Sequence, residues 1–429
     1  MRIAGRAAAA IEILKQVFEN HQPAADALKD WGKSHRFAGS SDRHAIGTLV
    51  FDALRHRNSL SARMGDGRPR ALVLAVLHDL WGQTPQDIAA LAGEDHGPGA
   101  LTDTEIAALS RAMREDLPVA VRGDLPEWLV PSFETAFGAR AAEEGAAIAA
   151  RAPVDLRVNT LKATRAEVLD ALSRFGATEG SLSPLSVRLP APGHDTRNVN
   201  VEAEPAHGRG WYEIQDSGSQ VAALLSGVKP GEKVADICAG AGGKTLALAA
   251  MMNNEGRLIA HDADRFRLRP IFDRLTRAGV TNCEVISAQE GAKLDAHGPF
   301  DCVVIDAPCS GSGSWRRKPD AKWRITQKQL DLRLKDQAQV LEKGFDLVKP
   351  GGRIVYITCS VLPQENAGQV TAFLQRHRNM KIIPYKEQWR RAIGGTAPRS
   401  ADRSEEGLQL TPAQHGTDGF FVAVMERIG

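Results

Sequence analysis

Two apolar stretches of the chain end in the same dipeptide, Cys-Ser. Residues 301–310 end with Cys309 and a serine, and residues 352–360 end with Cys359 and a serine. Unbroken β-branched runs of this kind are typical of central strands in a parallel sheet that is covered on both faces. A helix-length segment separates them, which predicts that the two strands are parallel neighbours. Because ligands of open α/β sheets lie outside the carboxyl ends of the strands, we expect both thiols to face one crevice.

A glycine-rich turn, residues 236–245, follows an earlier apolar run. Its glycines allow a tight turn and a close approach to a ligand. A phosphate-binding P-loop would need glycine at Cys238, and a dinucleotide fingerprint would need glycine or alanine at Thr245. Asp262, 22 residues after Gly240, stands where a carboxylate accepts ribose hydroxyls. A ligand with ribose and adenine but no phosphate, S-adenosylmethionine, is therefore expected; the plainer alternative is a turn that only connects a strand to a helix.

Alternating strand and helix patterns begin near residue 231. The predicted strands are residues 233–237, 257–262, 283–287, 301–306, 353–358 and 420–425. This alternation predicts a doubly wound, mostly parallel α/β sheet.

A small α+β module is predicted before that sheet. Its strands are expected at residues 156–159, 186–189 and 211–216, with a long exposed loop at 193–210. A helix is predicted at 164–175, because Thr164 and Glu167 have the spacing of a capping box.

The N-terminal part reads as helical. Apolar residues recur at helical spacing within the first 18 residues and within 41–57, and residues 71–80 have the length and composition of a buried helix. The second helix is expected to end on Arg55-His56-Arg57, and a linker is expected around residues 93–99 and 118–126. This region is either a helical packing domain with a solvated charged surface or a domain that also contacts RNA.

The composition of the chain restricts the classes of protein to which it can belong. The 429 residues are 43% hydrophobic and 25% charged, which is typical of a globular chain of two or three domains. Glu12 and Lys15 interrupt the apolar start, which argues against a signal peptide, and no apolar run is long enough for a membrane span. A net charge of +2 means that any nucleic-acid footprint must lie in local clusters.

The five cysteines include no CxxC pair, and the chain has no HExxH motif, so we expect no metal. An odd cysteine count without a disulfide framework suits a reducing, cytoplasmic setting. Cys283 and Cys302 lie inside predicted strands, and Cys238 lies beside the glycine loop; we expect all three to pack.

Five motifs together resemble one known family. Residues 236–245, 306–313, 317–323, 358–360 and 418–421 are similar to motifs of the NOL/NOP/Sun (RsmB-type) RNA cytosine-5 methyltransferases. The resemblance covers about residues 128–424 and implies a class I, Rossmann-like methyltransferase fold. The first 125 residues resemble, more weakly, the helical NusB-like RNA-binding domain of the bacterial ribosomal branch. The expected division is residues 1–125, 126–220 and 221–429.

The resemblance implies a role for both thiols. Cytosine C5 is a poor nucleophile until a thiolate adds at C6, so covalent catalysis is needed. Cys359 matches the family's nucleophile, and Cys309 matches the cysteine that aids product release. Asp306 and Lys244 are expected at the target cytosine or the cofactor. The cofactor residues implied for S-adenosylmethionine are Cys238, Ala239, Gly240, Ala241, Gly242, Gly243, Lys244, Asp262, Gln289 and Asp306.

The chain departs from the family at two of these positions. Ala241 replaces the usual loop proline, and Gln289 follows the strand where an aspartate near the adenine is common.

Basic clusters with aromatic residues suggest contact with RNA. Residues 315–328 hold six Lys or Arg against one Asp, with Trp315 and Trp323 between them, and residues 376–391 have a similar balance. A solvated surface is the alternative for each cluster. The RNA-binding residues expected from the first cluster are Arg316, Arg317, Lys318, Lys322 and Trp323.

The expected activity is methylation of small-subunit ribosomal RNA by a monomer, with no membrane or metal partner. The alternatives are a tRNA methyltransferase, a DNA enzyme in which the Pro-Cys cysteine Cys309 attacks, and an idle RNA-binding ribosome-assembly factor.

Overall fold

A computed structural model describes residues 1–114, 116–194, 196, 199–291 and 293–429. The N-terminal part is helical, as predicted. Its helices are α1 (Ile3–Glu19), α2 (Ala24–Ser34), α3 (Ser40–Arg55), α4 (Arg57–Met64), α5 (Pro69–Ala75), α6 (Pro85–Ala92), α7 (Asp103–Ser110) and α8 (Val119–Arg122). Their apolar faces form one core, to which Trp323 of the distant C-terminal half also contributes.

Three local predictions in this region need correction. The helix expected to run through residue 57 ends at Arg55, and α4 begins two residues later. The buried helix expected at 71–80 is α5 followed by a π-helical turn, Val76–Leu80. The stretch 118–126 is not a plain linker: it contains α8, and it buries Leu125 in a core shared with Trp315 and Leu330 of the C-terminal part of the chain.

Two helices, α9 (Val130–Phe137) and α10 (Ala141–Ala149), lead to the α+β module. The module contains β1 (Val154–Val158), α11 (Arg165–Ala171), β2 (Thr178–Glu179), β3 (Ser186–Leu189), α12 (Pro205–Gly208), β4 (Tyr212–Ile214) and α13 (Ser217–Leu224). Its antiparallel sheet has the order β2-β3-β1-β4.

The predicted capping box is present, because Thr164 and Glu167 exchange hydrogen bonds at the start of α11. The helix is shorter than expected and continues as a 3-10 turn, Ser173–Phe175. Part of the loop predicted at 193–210 lies outside the described residues; the part that is described includes α12.

The large sheet contains all six predicted strands. Its elements are β5 (Lys233–Asp236), α14 (Gly243–Met251), β6 (Arg257–His261), α15 (Arg265–Leu268), α16 (Ile271–Ala278), β7 (Cys283–Ile286), α17 (Lys293–His297), β8 (Phe300–Asp306), α18 (Ala321–Arg324), α19 (Gln327–Leu347), β9 (Val348–Thr358), α20 (Ala367–Arg376), β10 (Met380–Ile383), α21 (Tyr385–Ala392), β11 (Leu408–Leu410), α22 (Pro412–His415) and β12 (Phe420–Arg427).

The strand order is β10-β12-β9-β8-β5-β6-β7, with β11 paired to β12. Strands β9, β8, β5, β6 and β7 are parallel, whereas β10, β11 and β12 run antiparallel to their neighbours. The chain order reverses between β5 and β8, which makes the gap at their carboxyl ends the topological switch point. Apolar cores cover both faces of the sheet. Among the described residues, no helix is long and apolar enough to cross a membrane.

Candidate active site

The two Cys-Ser loops meet, as predicted. Strands β8 and β9 are parallel neighbours with Asp306 opposite Ile357, so the residues that follow them leave the sheet side by side. The sulfur atoms of Cys309 and Cys359 lie 3.3 Å apart. Both cysteines are half-buried residues, and they line one crevice.

A buried carboxylate that the sequence did not indicate joins the two loops. Glu365 is fully buried and accepts hydrogen bonds from the hydroxyls of Ser310 and Ser360, which are the residues that follow the two cysteines. It also accepts from the Ser310 backbone N–H at 2.7 Å and from Gln337 Nε2 at 3.0 Å. The Glu365 side chain thus fixes the two loops relative to each other.

The environment of Cys309 controls the ionisation of its thiol. The hydrogen bond with Cys359, followed by burial, raises the pKa of the Cys309 thiol well above its usual range. Cys309 therefore keeps its proton at neutral pH and can donate it toward the neighbouring sulfur. Burial raises the pKa of Cys283 and of Cys302 to about 12, which agrees with the expectation that these thiols pack inside the sheet.

An ion pair between a buried lysine and a partly exposed carboxylate lies at the switch point. Lys244, in the first turn of α14, places its Nζ 2.8 Å from an Asp306 carboxylate oxygen, just where β8 ends. The same Nζ donates to Ser219 Oγ at 3.2 Å and lies 5.2 Å from the centre of the Phe420 ring. Lysine is unfavourable at a helix N-terminus, and here Asp306 supplies the counter-charge. The pair joins the two predicted site residues that follow β5 and β8.

Asp236, at the end of β5, is a site residue that the sequence analysis did not single out. Its Oδ2 accepts from Thr245 Oγ1 at 2.7 Å, while its Oδ1 is buried without a hydrogen-bond partner among the described residues. Burial raises the pKa of this carboxyl to about 7, and the nearby negative charge of Asp306 acts in the same direction. A signal existed in the sequence, since Asp236 begins the glycine-rich turn.

The glycine-rich turn has the backbone conformation that requires glycine. Gly240 and Gly242 have φ values of +51° and +85°. A Cβ atom on Gly242 would lie 2.5 Å from Ile271 Cγ1, so a side chain is excluded there by space as well as by conformation. Asp262 accepts hydrogen bonds from the backbone N–H groups of Gly240 and Asp264, each at 2.8 Å. The turn and the end of β6 are therefore fixed to each other.

The α+β module also fixes this turn. Arg157 of β1 donates to the Gly243 carbonyl at 2.7 Å, and Arg274 of α16 donates to the Ala241 carbonyl at 2.7 Å. Glu213 of β4 pairs with Arg274 at 2.8 Å. These contacts hold the loop at Ala241, the position where the family usually has proline.

A cavity of about 700 Å³ opens beside the turn, at the carboxyl ends of β5 and β6. Its lining includes Cys238, Asp262 and Pro308, the residue before Cys309. The volume falls within the range of about 300–1,000 Å³ that small-molecule sites occupy. The glycine turn, the cavity and the Asp262 carboxylate together fit a nucleoside-type cofactor, which Cys238 and Asp262 would hold.

The structure differs from the sequence expectation at other cofactor residues. Gln289 is exposed, in a 3-10 turn, and does not line the cavity. The lining also includes side chains that the sequence analysis did not select: His261, Asp264, Arg267, Leu294, Arg333, Asp336, Gln339, Val340 and Lys343. Several of these residues lie on α15 and α19, which contain none of the motifs found in the sequence.

Of the expected RNA-binding residues, Arg316 and Lys322 are buried and Trp323 is partly buried, and all three make contacts within the protein. Arg316 forms ion pairs with Asp216 and Asp418. Lys322 is 1% exposed and donates to the Arg55 carbonyl at 2.9 Å; burial lowers its pKa to about 8.

Trp323 donates to the Leu54 carbonyl at 2.6 Å and packs against the helical domain. Arg317, with a side chain 32% exposed, and Lys318 remain at the surface.

The parallel sheet with antiparallel β12, the glycine cradle and the cavity define a methyltransferase of the class I fold. Residues 223–426 match the family described as 16S rRNA methyltransferase RsmB/F, and residues 125–194 match the ferredoxin-like domain of RsmF/B-like methyltransferases. The chain belongs to the RsmB/F family. It is an S-adenosylmethionine-dependent methyltransferase.

Curated relatives agree with this assignment. A probable ribosomal RNA small subunit methyltransferase B of Synechocystis is 30% identical over 420 residues, which cover 90% of this chain and 91% of the relative. The ribosomal RNA small subunit methyltransferase B of Sodalis glossinidius is 34% identical over 324 residues, 74% of this chain and 68% of the relative.

Solved structures share the fold. A methyltransferase homologue from Pyrococcus horikoshii superposes with a TM-score of 0.59 at 27% identity and covers 72% of this chain and 98% of its own. NSun6 from the same organism, solved with SFG, has a TM-score of 0.62 at 18% identity and covers 71% of this chain and 99% of its own.

Proposed function

We propose that this protein methylates C5 of a cytosine in small-subunit ribosomal RNA, and that Cys359 forms a covalent bond to C6 of that base. The observation that carries the proposal is the 3.3 Å separation of the Cys309 and Cys359 sulfurs beside the cofactor cavity. Family membership supports RNA as the substrate, because curated relatives bear the name of ribosomal RNA small subunit methyltransferase B.

The chemistry requires a covalent partner for the base. Bound S-adenosylmethionine supplies an electrophilic methyl group. Addition of the Cys359 thiolate to C6 breaks the aromatic system and leaves C5 rich in electrons, which is the reactivity that methylation at C5 needs. After methylation, a base takes the C5 proton, the electrons of the C5–H bond restore the C5–C6 double bond, and the C6–S bond breaks to release the Cys359 thiolate.

Cys309 acts in the release of the product in this proposal. Its raised pKa keeps it as a thiol, so it can donate a hydrogen bond to the Cys359 sulfur as negative charge returns there. A donor 3.3 Å away makes Cys359 a better leaving group at the elimination step.

Asp306 and Lys244 are proposed to recognise the base. The Asp306 side chain is 36% exposed beside the thiols and can accept from the exocyclic amino group of cytosine. Lys244 can donate to an acceptor on the ring while it fixes the orientation of the Asp306 carboxylate. Uracil has no amino group to donate, so this arrangement favours cytosine.

The two cysteines can be assigned by a pair of variants. With transcribed 16S ribosomal RNA and labelled S-adenosylmethionine, the Cys359→Ala variant should transfer no methyl group and form no adduct. The Cys309→Ala variant should attack the base but release it slowly, and so accumulate a protein–RNA adduct that survives a denaturing gel. The reverse pattern would assign the nucleophile to Cys309.

The same assay tests the class of substrate. Mapping of 5-methylcytosine in the RNA product tests the C5 position. Transfer to tRNA or to duplex DNA in preference to 16S ribosomal RNA would contradict the proposed substrate. Size-exclusion chromatography of the active protein tests the proposal that it acts as a monomer. RNA binding without transfer by the wild type would favour an assembly factor.

A further inference from the structure

A second cavity lies where three parts of the chain meet. It has a volume of about 460 Å³ and lies between α3 of the helical domain, the start of the α+β module, and the loop that follows Cys309. The charged residues in its lining are Arg43, Asp52, Arg55, Arg151, Arg316 and Arg317, and His44 lies beside them. We call this cavity the arginine cleft.

Positive charge exceeds negative charge in the arginine cleft. Arg151 pairs with Asp52 at 2.6 Å, and Arg316 and Arg317 pair with Asp216 and Asp418, which lie behind the cleft wall. Within the described part of the chain, the five guanidinium groups of the cleft therefore share three carboxylates. The excess is carried by Arg43 and Arg55.

Arg55 shows that this excess is costly. Its side chain is 11% exposed and its Nε has no hydrogen-bond partner within the described part of the chain. The nearest carboxylate, Asp52, is 3.8 Å away and already shared with Arg151. Burial, with the like charges of Arg151, Arg316 and Arg317, lowers the pKa of Arg55 to about 10. An anion in the cleft would offset this repulsion.

Arg43 has donors available for such an anion. It lies on the exposed wall of α3, and within the described residues its Nε donates to the Ala38 carbonyl at 2.9 Å while its two terminal nitrogens form no hydrogen bond. Terminal guanidinium nitrogens of this kind are suited to phosphate oxygens.

The cleft is connected to the candidate active site through one short segment. Arg316 and Arg317 follow Cys309 by seven and eight residues and are fixed to Asp418. Asp418 lies two residues before Phe420, whose ring contacts Lys244. A polynucleotide bound at the thiols can thus continue past this segment to the cleft.

We propose that the arginine cleft binds a backbone phosphate of the RNA strand that carries the target nucleotide, with Arg43 as a direct contact. This inference rests on the proposed function. The helical domain and the catalytic domain then form one binding surface, because both contribute cations to the same phosphate site.

The test is RNA affinity as a function of salt. Fluorescence anisotropy with a transcribed 16S ribosomal RNA should show that Arg43→Gln binds roughly tenfold more weakly at about 0.1 M salt, and that the slope of log affinity against log salt falls by about 0.7 to 0.9, since one phosphate contact is lost. Arg43→Lys keeps the charge and should retain most of the slope.

The matched control is Arg257→Gln. Arg257 is also exposed but is the first residue of β6, so it lies at the amino ends of the parallel strands, away from the thiols, and this variant should bind RNA as the wild type does. Thermal unfolding and S-adenosylmethionine binding should be the same in all the variants, which shows that they fold.

Equal affinity and equal salt slope for Arg43→Gln and the Arg257→Gln control would overturn the proposal. The readout is binding, so it does not depend on the proposed chemistry. If the wild type fails to produce 5-methylcytosine while Arg43→Gln still loses RNA affinity, the proposed function is refuted and the phosphate site in the arginine cleft is supported.

Discussion

Removal of the Glu365 carboxylate should separate the two cysteine loops. In Glu365→Ala, the hydroxyls of Ser310 and Ser360 can turn toward each other, because their oxygens are 3.3 Å apart. The Ser310 N–H and one donor hydrogen of Gln337 lose their acceptor. In Glu365→Gln one oxygen remains, and the new amide can donate to the serine hydroxyls.

The expected cost follows from these contacts. A buried donor left unsatisfied costs about 1–3 kcal/mol, so two such donors should lower the free energy of unfolding of Glu365→Ala by roughly 2–6 kcal/mol. Glu365→Gln loses mainly the extra strength of hydrogen bonds to an ionised acceptor, on the order of 1 kcal/mol. A displacement of the thiols by about 1 Å should reduce the rate of methyl transfer by about 10²-fold.

The assay combines unfolding in urea with single-turnover methyl transfer. Glu365 does not line the cofactor cavity, so affinity for S-adenosylmethionine should be unchanged while the transfer rate falls. In a Cys309→Ala background, Glu365→Ala should also slow formation of the RNA adduct, and Glu365→Gln should restore most of it. Gln364→Ala, at the exposed neighbouring position, is the control.

Wild-type rates of transfer and adduct formation in Glu365→Ala would refute the argument that this side chain positions the thiols, whatever its effect on stability. A parallel loss of rate and of cofactor affinity would also refute it, because it would indicate general unfolding of the site.

Two further predictions concern the cofactor turn. Gly242→Ala should lose S-adenosylmethionine binding and stability, because φ is +85° and the new Cβ would meet Ile271. Gly243→Ala, whose Cβ would meet only Gln215 at 3.7 Å, should bind S-adenosylmethionine normally. Calorimetry compares the binding of the two variants. Burial raises the pKa of Asp236 to about 7, so the folded protein holds a proton that the unfolded chain has released. Its contribution to stability is present at low pH and is lost as pH rises from about 4 to about 7, and Asp236→Asn should show a smaller fall in the free energy of unfolding over that range.

The strands of the main sheet were predictable because each is an apolar, β-branched run that parallel packing buries on both faces. Strands β10 and β11 were not, since they are short antiparallel pieces of three or four residues at the edge of the sheet, with little apolar pattern. The predicted end of α3 was also wrong. The helix was expected to continue through Arg57 but ends at Arg55, because the break between α3 and α4 depends on tertiary packing.

The candidate site was predictable where the chemistry is local to a motif, and not where distant side chains act. The cluster at residues 315–328 is basic in composition, but Asp216 and Asp418, about a hundred residues away in either direction, neutralise its arginines in the fold. No local pattern marks Glu365 as the partner of both serines, because the contacts form only when β8 and β9 lie side by side.

The strand order explains why methyl donor and base can meet in the proposed reaction. The cofactor cavity is lined by residues that follow β5 and β6, and the thiols follow β8 and β9, so the boundary between the two ligands must lie between β5 and β8. Two features cross that boundary: the Lys244–Asp306 pair, with one partner from each side, and Pro308, which lines the cavity and is bonded to Cys309. A change in the loop after β8 should therefore alter both sites at once. Pro308 lines the cofactor cavity, and the next residue, Cys309, carries one of the two thiols.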